Sequence, residues 1–404
     1  MLKNFFSKIG PGALIAAAFI GPGTVSLCTK AGLQFGYDLL WVMLIAIMGT
    51  FILQEITVRI ALVAQKGILQ AIGQLIQHQL AKRLFYITIF LAILIGNTAF
   101  EAGNIAGGSM GLNLLFSGTQ QTNEAFRVGP LIIGGIAAIL LFIGHYKTLE
   151  RALIMLVVFM SISFMITALL TFPVWSEIVI GLIPSTPTNS FFTIVGLIGT
   201  TIVPYNLFLH ASSVREKWSS VSDLKAARRD AFAAILVGGI VSISIIIAAA
   251  ATKGALFTQP ADLALALEPL FGSSAKYLMG IGLFAAGITS AITAPLAAAY
   301  VGKEAFGWQG GLKNSYFKLV WMLVLGIGVF FASTGIKPLE IIQFAQFLNG
   351  VLLPFIAVVL FWGINQKKIM GHYVNSPAQN IGAALIILFT LFISFKTFVS
   401  LFSL

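Results

Sequence analysis

A few polar side chains sit inside long apolar runs, where each is costly and therefore informative. Glu101 lies within Asn97-Thr98-Ala99-Phe100-Glu101-Ala102-Gly103-Asn104. A carboxyl in apolar surroundings is a proton-relay candidate, the alternative being a structural acid bonded to neighbouring helices. His210 belongs to a side-chain type that titrates near physiological pH and suits a proton shuttle; the alternative is a hydrogen-bonding linker between helices. Lys30 either faces a polar cavity, where it repels cations, or snorkels its ammonium to the outer surface. Glu55 and Arg59 are four residues apart, share a helix face and read as a structural ion pair near the inner end of their span.

The backbone supplies a second kind of chemistry. Gly21-Pro22-Gly23-Thr24 interrupts an apolar segment running over about 9–33, and Val203-Pro204-Tyr205-Asn206 interrupts one over about 189–213. Proline removes an N–H and clashes with the preceding turn. In lipid every freed backbone group needs another partner, so unwound backbone is expected to line a protein cavity. Helix N-termini at such a break carry partial positive charge. Paired interruptions in corresponding halves point to a transporter's binding site.

The elements that must position these groups are membrane spans. The chain has 404 residues, 58% hydrophobic and 9% charged, too little charge for a soluble domain of this size. Apolar runs of roughly 20 residues mark about eleven spans, near 9–33, 37–64, 84–116, 128–145, 150–172, 189–213, 229–252, 275–306, 316–333, 338–363 and 380–402. No small-residue cleavage site follows the first run, so it reads as an uncleaved insertion signal. The net charge of +11 is not a nucleic-acid signal, because it is sorted by face. One set of alternate loops carries Lys3, Lys8, Lys66, Lys82, Arg83, Lys147, Arg151, Arg215, Lys217, Lys225, Arg228, Arg229, Lys303, Lys313, Lys318, Lys367 and Lys368. The other holds only Arg127, Lys253, Lys276 and Lys337. This positive-inside bias places the N-terminus in the cytoplasm of a cell that inserts the chain in its plasma or inner membrane. Cys28, the single cysteine, excludes an internal disulfide. No zinc signature, nucleophile elbow or phosphate loop occurs, so neither an enzyme nor a cofactor is expected. A receptor or scaffold is the remaining class besides a transporter. The oligomeric state is left open by the sequence.

Pro22 and Pro204 each open a set of five spans. Five is odd, so the second set, 189–363, is inverted relative to the first, 1–172, with 380–402 as a peripheral eleventh helix. That is the LeuT-type plan: an all-α membrane protein whose first and sixth helices are broken. Specific motifs extend this reading. Gly10-Pro11-Gly12, Ala31-Gly32, Gly36-Tyr37 and Leu39-Leu40-Trp41 resemble the first helix, and its exit, of the NRAMP-type divalent-metal transporters. Leu112-Asn113-Leu114-Leu115-Phe116 resembles the end of the family's third helix. Pro204, Asn206-Leu207 and Leu209-His210-Ala211-Ser212 resemble its sixth, and Ala285-Ala286-Gly287, Ser290 and Thr293 its eighth.

The resemblance implies a proton-coupled carrier of a small inorganic ion in a lipid bilayer. It places the substrate at Gly21, Thr24, Thr200, Val203, Tyr205 and Gln346, with Glu101, Asn104 and His210 on the proton pathway. For Gln346 the alternative is interhelical packing. The chain departs from the family's usual Asp-Pro-Gly-Asn and Met-Pro-His-Asn: Gly21 replaces the Asp, Thr24 the Asn, Val203 the Met and Tyr205 the His. Asn104 stands where the family often has a second acid. A dehydrated divalent ion needs anionic or strongly dipolar oxygens, and a thioether favours transition metals. Gly21 offers a carbonyl, Thr24 one neutral oxygen and Val203 no side-chain donor. Manganese and iron are therefore not the expected cargo. The alternative is a small anion such as bicarbonate, or a neutral polar solute, suited by uncompensated helix dipoles and by Lys30 in the vestibule.

Overall fold

Proline has a preferred place in a helix, its first turn, where the missing N–H has no partner to lose. Pro22 and Pro204 both occupy that position. Each therefore starts a helix rather than kinking one. The computed structural model describes residues 20–116, 123–144, 147–252, 254, 257 and 259–402. Gly10-Pro11-Gly12, Lys3, Lys8 and Lys253 lie outside the described residues, as do the side chains of Arg127 and Lys147.

In chain order the principal helices are α1 (Pro22–Phe35), α2 (Leu40–Ala64), α3 (Gln79–Phe116), α4 (Asn123–Ile143), α5 (Lys147–Leu170), α6 (Phe191–Thr201), α7 (Pro204–Lys217), α8 (Leu224–Ala250), α9 (Ala275–Phe306), α10 (Ser315–Ala332), α11 (Pro338–Ile364) and α12 (Pro377–Phe402). Short helical turns join them, and no strand occurs among the described residues. Nine described segments are long and apolar enough to cross a membrane, with α6 and α7 counted as one; Val128–Ile143 is apolar but shorter. The third span begins five residues earlier than the hydropathy boundary at 84, because Gln79–Arg83 continues the helix as a polar turn.

α3 is the central pillar. It packs along α9 most extensively, then on α11, α10 and α4. Small residues permit the close approach. A Cβ on Gly108 would lie 3.3 Å from the Gly287 Cα, so these backbones meet almost directly. One glycine of each pair, Gly134-Gly135 in α4 and Gly238-Gly239 in α8, is shown to serve packing: Gly134 is filled by Val329 and Gly239 by Ile47. α1 lies on α8 and α6, α6 on α11 and α2, and α7 on α2 and α9. The two broken segments are thus held inside a cage of continuous helices. Prolines inside α4, α9 and α11, at Pro130, Pro295 and Pro354, do not end those helices.

Candidate functional site

The site begins where α1 starts and where α6 gives way to α7; the part of the first apolar run before residue 20 lies outside the described residues. Gly21 is extended, with φ −84° and ψ 174°, and α1 starts at the next residue. α6 ends at Thr201; Ile202 (φ −101°, ψ 80°) and Val203 (φ −88°, ψ 119°) are non-helical, and α7 starts at Pro204. The unwound stretch is narrower than the interruptions read from the sequence, Gly21-Pro22-Gly23-Thr24 and Val203-Pro204-Tyr205-Asn206: α1 begins at Pro22 and α7 at Pro204. Thr24 is already inside α1, because proline at the first helical position is pre-set for the turn that follows it, and Thr200 is still inside α6. Pro204 has no N–H, so the Thr200 carbonyl lacks the partner a continuous helix would give it. The Thr50 hydroxyl donates to the Thr201 carbonyl at 3.3 Å, capping the end of α6 from α2.

The two breaks meet. Thr24 Oγ1 and Thr200 Oγ1 are 2.9 Å apart, a hydrogen bond between residues 176 positions apart in the chain. Gln346 of α11 closes the third side: a Cβ on Gly23 would overlap its amide, and one on Gly199 its backbone carbonyl. Glycine at both positions is what lets α1, α6 and α11 converge. The Gln346 Oε1 is buried without a hydrogen-bond partner, as are Asn349 Nδ2 one turn along α11 and Asn206 Nδ2 in the first turn of α7. Gly21 contributes backbone only, and its carbonyl accepts the Val25 N–H at 3.2 Å. Val203 is buried and apolar. Tyr205 packs edge-on against Phe100, ring centroids 5.2 Å apart, on the side of the break nearer Glu101.

The expected proton-pathway residues do not form one cluster. Glu101 is fully buried; Asn104 Nδ2 donates to its Oε2 at 3.4 Å, and its Oε1 has no partner. It points toward α10, where a Cβ on Gly328 would sit 2.6 Å from the Glu101 Cγ. His210 lies on the other side, its Nδ1 hydrogen-bonded to Gln54 Oε1 of α2, with Nε2 buried and unpartnered. Gln54 and Thr50 were not among the expected site residues. Their spacing of four, which puts both on one face of α2, is the signal that finds them.

Beyond the break lie two hollows. On one side a hollow of about 290 Å³ is lined by Lys30, Gln34, Lys337, Glu340 and Gln343, among others. Lys30 Nζ donates to Gln343 Oε1 at 3.2 Å, so the ammonium turns inward to α11. On the other side a hollow of about 350 Å³ is lined by Ser212, Arg215, Glu216, Lys303 and Glu304, among others. Glu304 accepts from the Leu69 N–H at 3.3 Å and the Ser212 hydroxyl at 3.4 Å; it was not among the expected site residues. The Glu55–Arg59 pair is structural, as expected. Arg59 contacts Glu55 at 2.7 Å, Arg228 contacts the same carboxylate, and Arg59 also donates to Asn375.

The oxygens gathered here are neutral: two hydroxyls, the Gln346 amide oxygen and the Thr200 carbonyl. Among the described residues no three of His, Cys, Asp and Glu gather into a metal-holding group.

Comparisons with known proteins agree with the architecture. The divalent metal cation transporter MntH of Staphylococcus saprophyticus is 27% identical over 409 residues, covering 94% of this chain and 88% of that protein. The Staphylococcus aureus MntH is 27% identical over 414 residues, with the same coverage. The manganese transporter of Eremococcus coleocola, solved with an aromatic bis-isothiourea compound, superposes with a TM-score of 0.77 at 20% identity, covering 98% of this chain and 87% of that one. A nucleobase-cation-symport-1 family transporter in a closed conformation aligns with a TM-score of 0.55 at 15% identity, covering 96% and 93%. These likenesses establish a LeuT-type fold, and residues 12–400 match the family described as Natural resistance-associated macrophage protein-like. The chain belongs to the Nramp family of membrane transporters.

Proposed function

We propose that this chain carries a small inorganic ion across a cell membrane through the space between Thr24, Thr200 and Gln346, and that the ion is a hard divalent cation. The curated relatives named above are divalent metal cation transporters, which supports the class. The hydroxyl pair at the meeting of the breaks carries the finer reading. Neutral oxygens cannot offset the full dehydration of a divalent ion. Magnesium dehydrates reluctantly and is usually bound with several waters kept, so such a ring suits it better than manganese or iron, which are favoured by the carboxylate and thioether that Gly21 and Val203 lack.

On this reading two five-helix repeats, 1–172 and 189–363, rock around the site, with 380–402 peripheral. The base-rich loops, and with them the N-terminus, face the cytoplasm. Glu101, with its unpartnered oxygen, and His210 carry coupled protons. The alternative cargo, a small anion such as bicarbonate, rests on Lys30, whose ammonium turns to Gln343 in a hollow that Lys337 and Glu340 also line; the divalent-cation relatives do not favour it.

Proteoliposome uptake of magnesium, manganese and bicarbonate, each with and without a pH gradient, tests both. Robust magnesium uptake with weak manganese uptake is expected. Manganese uptake exceeding magnesium overturns the hard-cation reading, and bicarbonate uptake without either metal replaces it with the anion reading.

A further inference from the structure

We propose that the chain holds an anionic phospholipid of the inner leaflet in a groove between α2, α8 and α12. The head end is a hollow of about 480 Å³ lined by Glu55, Arg59, Arg228, Asn375, Gln379 and Gly382, among others. Two guanidiniums face one carboxylate there, so the hollow keeps a positive charge. Arg59 is 2% exposed and its Nε–H has no partner, a buried donor facing a space with room for an acceptor. Arg228 spends its contacts on one oxygen of Glu55 and leaves its side chain 38% exposed. Arg229 and Lys225 stand exposed on the same turn of α8.

The hollow continues into an apolar one. Phe51 and Ile52 line both, and the second, about 320 Å³, is otherwise formed by Ile47, Met48, Phe232, Ile235 and Leu236. Phe51 and Phe232 meet edge-on with centroids 5.2 Å apart and form its wall. Met48, Phe232 and Leu236 are exposed on spanning helices, hence open to acyl chains. A charged socket at the base-rich membrane face joined to an apolar trough fits a phosphodiester headgroup with its tail. Basic pockets between spanning helices on the cytoplasmic side bind such headgroups. A free phosphate would leave the trough empty, so the lipid is the occupant.

Native mass spectrometry of the purified full chain, titrated with phosphatidylglycerol or with phosphatidylcholine of the same acyl chains, tests this. Phosphatidylglycerol should bind about fivefold more tightly, the equivalent of about 1 kcal/mol for one arginine at the membrane surface. Arg228→Gln should abolish that preference, and Lys276→Gln, on the opposite face, should keep it. Gly382→Ala narrows the socket without touching a charge; a Cβ there meets Ile52 at an ordinary 3.6 Å, so this variant tests the hollow independently of the arginine variant, and Gly382→Leu extends the same series. The series should weaken both lipids. Equal binding of the two lipids, a preference that survives Arg228→Gln, binding unchanged by Gly382→Leu, or displacement by inorganic phosphate at equal concentration would each overturn the proposal.

Discussion

The two groups proposed to carry protons, Glu101 and His210, are buried on different helices and held by different means. Glu101 has one oxygen held by Asn104 and one free, whereas His210 has one nitrogen committed to Gln54 and one free. A carboxyl can cycle only if the free oxygen takes and gives a proton. Glu101→Gln keeps the shape and the contact with Asn104 but removes that ability. The expected outcome is loss of pH-driven substrate accumulation with substrate exchange retained, measured in proteoliposomes with a pH-sensitive dye. Unchanged proton flux in the variant removes Glu101 from the pathway. At this scale the sequence was readable for single residues and for the local Glu55–Arg59 pair, and opaque for pairs distant in the chain. That Glu101 and His210 are buried followed from their apolar neighbours. That Thr24 meets Thr200, or His210 meets Gln54, depends on helices converging from distant parts of the chain, which no local pattern encodes.

Among the elements, the breaks were the most legible feature, because proline acts locally. Their extent was overestimated, since the same proline stabilises the turn that follows it. The convergence of α1, α6 and α11 rests on Gly23 and Gly199, whose missing side chains are filled by Gln346. Gly199→Ala places a methyl group into the α11 backbone, an overpacking that costs about 1–3 kcal/mol and pushes the break away from Gln346. Gly135→Ala, where nothing lies within 4 Å, should instead stabilise by about 0.5–1 kcal/mol through helix propensity. Thermal melting in detergent reads both. Equal shifts for the two variants would contradict the close packing at the site.

For the whole molecule, the base-rich face is more than a topology signal. Arg59 joins α2 to the turn before α12 through Asn375, Gln379 and the Tyr373 and Val374 carbonyls. Through Glu55, α8 is tied in as well. Hydropathy located these helices yet said nothing of the clasp, because polar loop residues such as Asn375 and Gln379 read as solvated. Arg59→Ala leaves Glu55 to Arg228 alone and strands several acceptors. Breaking a buried pair costs about 3–5 kcal/mol, so the variant should melt well below the parent and lose α12 protection in hydrogen exchange. A melting point within error of the parent would show the clasp to be dispensable.

Cys28 lies fully buried on α1, between the break and Lys30, and it is the one cysteine in the chain. A thiol enclosed in apolar surroundings is inert toward alkylating reagents. The native protein is therefore already a thiol-silent background. A cysteine placed at any exposed loop position becomes the sole handle for a fluorophore or spin label, and the two faces of the molecule can be followed by spectroscopy without first engineering the sequence around the site.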